Sequence, residues 1–161
     1  MEQFFITNQD IIIKLVLAMG LGVVIGIERY IAHKSAGMRT YALLSMGSAL
    51  FVILASAVIN SFSYSSYISI NPLVIMAAVI TGIGFLGAGA MFKTESTLVG
   101  LTTATGLWVS AGVGMAVGFG FYSLAIIATI LILFIFVVLW ILERHIIDRI
   151  SNKLPPRKEL E

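Results

Sequence analysis

Cysteine is absent from this chain, which excludes disulfides, thiolate metal sites and thiol catalysis. Charge is scarce too. Only 11% of the 161 residues are Asp, Glu, Lys or Arg, against 59% hydrophobic residues and a mean hydropathy of +1.04. No ordinary water-soluble globule has that balance, so the chain reads as an integral membrane protein, with the lipid bilayer as its first partner. Met1 to Asp10 has no Lys or Arg, hence no basic n-region of a cleavable signal peptide, and the first apolar segment is expected to be retained. Catalysis finds no footing: there is no Ser-His-Asp order, no pair of intramembrane carboxylates and no phosphate loop. The chain is therefore expected not to be an enzyme. His33 and His145 lack a second His or carboxylate at a ligand spacing, so no metal ligand and no cofactor is assigned, and nucleic acid is not an expected partner.

What is present is a series of apolar runs, each near the length that crosses a hydrocarbon core about 30 Å thick at about 1.5 Å per helical residue. They predict an all-α, polytopic protein with five spans, at about 11–27, 41–60, 72–92, 98–117 and 121–142. Residues 143–161 form a short tail. Lys14, inside the first turn, reads either as an intramembrane gate or as a snorkelling residue paired with Asp10 four positions earlier. Glu28 to Thr40 is the longest charged connection. Ser61 to Asn71 is polar and aromatic without a charge, and Tyr64 and Tyr67 suit the headgroup zone. Pro72 is placed to open the third span, where its missing N–H costs nothing. Lys93 to Thr97 breaks that span, and Gly118-Phe119-Gly120 turns the chain into the fifth.

Nine of the ten basic residues, Arg29, Lys34, Arg39, Lys93, Arg144, Arg149, Lys153, Arg157 and Lys158, fall on one side of this arrangement. The positive-inside rule then puts the N-terminus outside and the C-terminus in the cytoplasm. In the tail, Ile146, Ile147, Ile150 and Leu154 recur at helical spacing, as in an amphipathic helix along the inner surface, until Pro155-Pro156 stops it.

Thr81 to Gly114 organises the rest. Glycine at its density would ruin a soluble helix, but in lipid small residues let helix backbones approach closely. Gly82, Gly84, Gly87, Gly89, Gly100, Gly106, Gly112 and Gly114, with Gly22 and Gly26 in the first span, are read as packing positions. Gly82-x-Gly84-x-x-Gly87 matches a dinucleotide fingerprint on paper, but it lies mid-span without the preceding strand and exposed helix start that the fingerprint needs. Thr81, Thr102, Thr103, Thr105 and Ser110 either line a polar crevice or bond their own helix's i−4 carbonyls. Trp108, mid-span, is expected to pack on glycine faces or on a second subunit.

Glu28, Arg29, Arg39 and Thr40 form the candidate polar cluster. Glu28 is expected to pair with Arg39 while Arg29 faces headgroups or a partner, and the alternatives are a structural ion pair or a working site. Glu28 is also the one weak candidate for a hydrated Mg²⁺, which needs only one or two protein carboxylates.

Gly26-Ile27-Glu28-Arg29, Ala36-Gly37-Met38-Arg39-Thr40, Gly82 to Gly89 and Gly100-Leu101-Thr102-Thr103-Ala104 through Leu107-Trp108 together resemble the MgtC/SapB family of bacterial inner-membrane proteins. The resemblance covers the whole membrane region in order and spacing. It implies a five-helix membrane domain and a link to magnesium homeostasis, stress and virulence, with partners such as the ATP synthase or transporters. Two departures stand out. Many relatives carry a soluble C-terminal domain resembling an ACT module, whereas here only about nineteen residues follow the fifth span, as in a short or trimmed member. Relatives also often have a basic residue where this chain has Val99. The expected function is regulatory, through helix contacts with other membrane proteins and as a homodimer joined by glycine-rich faces. The alternative is a divalent-cation transporter or channel.

Overall fold

The structure, a computed structural model, describes residues 8–62, 71–94 and 97–151. Tyr64, Tyr67, Glu95 and the tail from Asn152, with Leu154 and Pro155-Pro156, lie outside them. The described chain forms α1 (Gln9–Ile31), α2 (Met38–Phe62), α3 (Pro72–Gly89), a hairpin of β1 (Phe92–Thr94) and β2 (Thr97–Val99), α4 (Leu101–Gly118), α5 (Tyr122–Phe134) and α6 (Trp140–Ser151). A π turn, Ile135–Leu139, joins the last two.

Local chemistry sets most helix starts. Asp10 favours the positive end of α1 and pairs with Lys14 one turn on at 2.7 Å. Pro72 occupies the first turn of α3, and the Asn71 side chain accepts the Leu73 N–H at 2.9 Å. The end of α1 is less expected. His33 takes a left-handed φ of 54°, its N–H reaches the Tyr30 carbonyl at 3.1 Å, and the Lys34 N–H reaches that of Arg29 at 3.0 Å. This is a Schellman stop with histidine where glycine is usual. It extends α1 to Ile31, so Glu28 and Arg29 belong to a helix rather than to the loop that their charge suggests.

The breaks also differ from expectation. The third helix ends at Gly89, and a short antiparallel hairpin, pairing Phe92 with Val99 and Thr94 with Thr97, replaces a simple polar break. Strands of three residues are too short to show a period of two. Gly100, at φ 93°, turns the hairpin into α4 with its Cα against the Ala90 carbonyl. Between α4 and α5, the expected turn is a left-handed Gly120 at φ 86°. Helical backbone then continues from Tyr122 through the π turn to Ser151, without a break at the Leu142 boundary.

Among the described residues four helices are long and apolar enough to cross a membrane: Gln9–Ile31, Met38–Ile59, Leu101–Gly118 and Tyr122–Ile146. The expected third span is a shorter apolar helix, Leu73–Gly89. All pack around α4, which touches α1, α2, α3 and α5 and is the most buried of the four.

Close backbone approach explains the packing. On α1, a Cβ added at Gly22 would stand 2.5 Å from the Tyr41 carbonyl oxygen, and one at Gly26 would stand 2.6 Å from the Met38 Cα. On α4, Gly106 faces the Tyr41 hydroxyl and the Phe136 ring, Gly114 the Ser45 backbone, and Gly118 the Val52 side chain. Gly118, read as a turn residue, is thus also a packing residue. Gly87 meets Ala104 at an ordinary 3.6 Å, while Gly82, Gly84, Gly89 and Gly112 have nothing within 4 Å. Packing and open glycines should respond oppositely to substitution. Gly114→Ala is expected to lower stability by about 1–3 kcal/mol through overpacking, whereas Gly112→Ala should be neutral or raise it by about 0.5–1 kcal/mol through helix propensity. Denaturant titration of the two variants in detergent micelles measures both.

Candidate functional site

An inward stripe on α1 runs Ala18, Gly22, Ile25 and Arg29, all buried. The spacing of four, three and four places the Arg29 guanidinium on the same face as the packing glycines. Arg29 is only 3% exposed. A buried cation must be matched, and Arg29 is matched twice. Its Nε donates to Glu28 Oε2 and its Nη2 donates to Glu28 Oε1 at 2.6 Å, a two-pronged grip on the adjacent carboxylate. Its Cζ also lies 3.6 Å from the centroid of the Phe136 ring, whose negative face attracts the cation.

Phe136 comes from the π turn. Ala125, Thr129, Ile132 and Phe136 form the buried stripe of the last helix, and it ends there, since residues 139–146 are exposed. Arg29 therefore ties the end of α1 to the point where the last helix leaves the bundle. Beneath it, Tyr41 is fully buried, its hydroxyl against Gly106 and donating to the Thr103 carbonyl at 3.5 Å. Further along the α2–α4 seam, the hydroxyls of Ser45 and Ser110 are buried and make no hydrogen bond among the described residues.

The expected pairing of Glu28 with Arg39 is not the one observed. Among the described residues Glu28 is held by Arg29, while Arg39 and Thr40 lie exposed at the start of α2. The reason is geometric: the long α1 turns Arg29 inward, and its guanidinium reaches the neighbouring carboxylate. Of the threonines, Thr102 and Thr103 line one cavity beside His33 and Lys34, and Thr81 and Thr105 do not. Thr81 and Thr105 are exposed and donate to the i−4 carbonyls of Ala77 (2.8 Å) and Leu101 (3.2 Å). Thr102 is exposed, Thr103 buried, and Trp108 is 52% exposed, facing away from the packing glycines. Tyr41, Ser45 and Phe136 were not singled out in the sequence, although Tyr41, Ser45, Ser48 and Val52 recur at spacings of four, three and four, the inward stripe of α2. Among the described residues no group of three or more His, Asp or Glu is placed to hold a metal ion.

A bundle held by glycine contacts, with one internally neutralised ion pair at its end, defines a polytopic helical membrane protein with a structural polar lock. A family model described as the MgtC family matches residues 15–145, and the chain belongs to that family. It is 40% identical over 126 residues to YhiD of Escherichia coli (strain K12), whose printed name is Putative magnesium transporter YhiD; the match covers 78% of this chain and 59% of YhiD. It is 34% identical to Protein SapB of Bacillus subtilis over 91% of this chain and 64% of that protein, and 42% identical to Protein MgtC of Brucella abortus over 70% and 44%. The chain thus spans about half the length of these relatives. No solved structure matches it.

Removing Arg29 strands a largely buried carboxylate. Arg29→Ala is expected to cost about 3–5 kcal/mol of stability, as breaking a buried pair does. Arg29→Lys should recover only part of it, because an ammonium can neither grip both oxygens nor stack flat on Phe136. Denaturant titration in detergent would show an unchanged midpoint for Arg29→Ala if the lock contributed nothing.

Proposed function

We propose that this protein is a non-catalytic regulatory component of the bacterial inner membrane, linked to magnesium homeostasis, stress or virulence, which acts through helix contacts with other membrane proteins. It crosses the membrane five times, with α3 as the short span, the N-terminus outside and the C-terminus in the cytoplasm. The observation that carries this reading is the grip of Arg29 on both Glu28 oxygens. The carboxylate of Glu28, the candidate for a magnesium mouth, is already paired within the chain. The α2–α4 seam is closely packed where Gly114 meets the Ser45 backbone.

What the bundle offers instead is open surface on its central helix. Leu101, Thr105, Trp108 and Gly112 lie on one exposed or half-buried face of α4. Gly112 has room for a side chain from outside, and Trp108 supplies a large one, a self-complementary knob and hole suited to a second copy. The ATP synthase or transporters are the further partners that the family suggests.

The alternative is a divalent-cation transporter. It is favoured by the name that YhiD carries and by a cavity of about 500 Å³ beside Glu28, lined also by Val24, Ile27, His33 and Trp140.

Magnesium uptake into proteoliposomes separates the two readings. The expected result is no protein-dependent uptake by correctly inserted protein, with or without Glu28→Gln; uptake that Glu28→Gln abolishes makes the protein a transporter. In the regulatory reading, Gly112→Leu leaves the fold intact, because nothing stands within 4 Å of that glycine, and reduces crosslinked dimer in membranes. A dimer yield equal to the parent's would remove α4 from the interface.

A further inference from the structure

A groove of about 610 Å³ runs between α2 and α3. Phe51 and Leu54 of α2 and Val74, Gly82, Ile83 and Leu86 of α3 are among the residues lining it, and every one of them is apolar or glycine. On α3 the lining extends from Val74 to Leu86, about 18 Å along the helix. That is slightly more than half of a hydrocarbon core about 30 Å thick, the depth that the chains of one leaflet fill. Phe51, Leu54, Val74 and Leu86 are each more than half exposed and form an open rim, while the buried Ile83 forms the floor. Gly82 widens the middle of the groove, since a Cβ there would meet nothing within 4 Å.

Shape and chemistry together select the occupant. A helix about 10 Å across has a cross-section of about 80 Å², whereas 610 Å³ spread over about 18 Å leaves about 34 Å². A helix from a second copy or from another protein is therefore too wide. An extended peptide is narrow enough, but its N–H and C=O groups would face walls whose side chains offer no hydrogen bond, a costly arrangement in lipid. An unbranched hydrocarbon chain is narrow and needs no hydrogen bond.

We propose that this groove holds one acyl chain of a membrane phospholipid, lying along α3 with its headgroup at the membrane surface. The proposal rests on the reading of α3 as the short span. Lipid tails and groove walls are equally apolar, so the attraction is close packing on several sides of the chain rather than escape from water. The chain fills the space that α2 and α3 leave between them and steadies the shorter apolar helix against the bundle.

The test uses the full chain in nanodiscs of phosphatidylcholine with a trace of phosphatidylcholine that carries a diazirine in one chain, photolysed and mapped by mass spectrometry. Labelling of Phe51 and Leu54 is expected to exceed several-fold that of Ile130, which is 60% exposed on α5 and reports the general bilayer. Gly82→Leu fills the groove and should bring Phe51 and Leu54 down to the Ile130 level. Gly84→Leu is the control: Gly84 lies on the same helix, has nothing within 4 Å and does not line the groove, so labelling should match the parent's. Leucine is the better helix former, so both variants are expected to fold, which their melting temperatures check. Labelling unchanged by Gly82→Leu, or lowered equally by both variants, overturns the site. So does labelling of Phe51 and Leu54 in the parent at or below the Ile130 level, the result expected if a second copy or residues 63–70 covers the groove. Phe85, 80% exposed on α3, separates the two failures: if it is labelled, only the acyl-chain site falls, and if it is not, the reading of α3 as a span falls with it.

Discussion

The rest of this structure depends on backbone-to-backbone contact between α4 and α2. In lipid, apolar side chains gain little by leaving equally apolar tails, so helices must find close packing instead. Gly106, Gly114 and Gly118 supply it by placing α4 against Tyr41, the Ser45 backbone and Val52. Gly22 and Gly26 do the same for α1, so three helices meet at distances that a single methyl group would disturb. With α4 fixed in this way, α3 needs only Ile83 and Gly87 to pack on it, and its remaining surface stays open.

The Arg29 lock follows from that packing. Once Gly22 and Gly26 set the face of α1 toward the bundle, Arg29 at the end of the same stripe must turn inward. An inward guanidinium in a low-dielectric setting is tolerable only with a partner for its charge, and Glu28 and the Phe136 ring provide one. The adjacent pair thus serves a double purpose: it neutralises a buried charge and joins the first helix to the last. The same engagement places a cation against the Glu28 carboxylate.

Much of the helical layout was legible in the sequence because apolar length is a strong signal, and so were Pro72, the Asp10–Lys14 pair and the turn at Gly118 to Gly120. Helix ends were not. Charge at Glu28 and Arg29 suggested a loop, and the stop that keeps them helical is made by His33, which gives no glycine signal. The hairpin was hidden by its three-residue strands. A Cβ at Gly22, Gly26, Gly106 or Gly114 would meet atoms of another helix within 3 Å, while Gly82, Gly84, Gly89 and Gly112 have nothing within 4 Å, and composition alone does not separate the two groups. The members of the polar cluster were visible while their pairing was not, because pairing depends on which way α1 is rotated. The stripe Ala18, Gly22, Ile25 and Arg29 carried that information.

The central helix therefore has a closed side and an open one, and they divide its roles. Its closed side, against α2, is too tight to move without losing the contacts that define the bundle. Its open side presents Leu101, Thr105, Trp108 and Gly112. A helix held rigidly on one side transmits what it meets on the other as a whole-body constraint rather than a local one. Contact on the open face would then act on the whole of that rigid element.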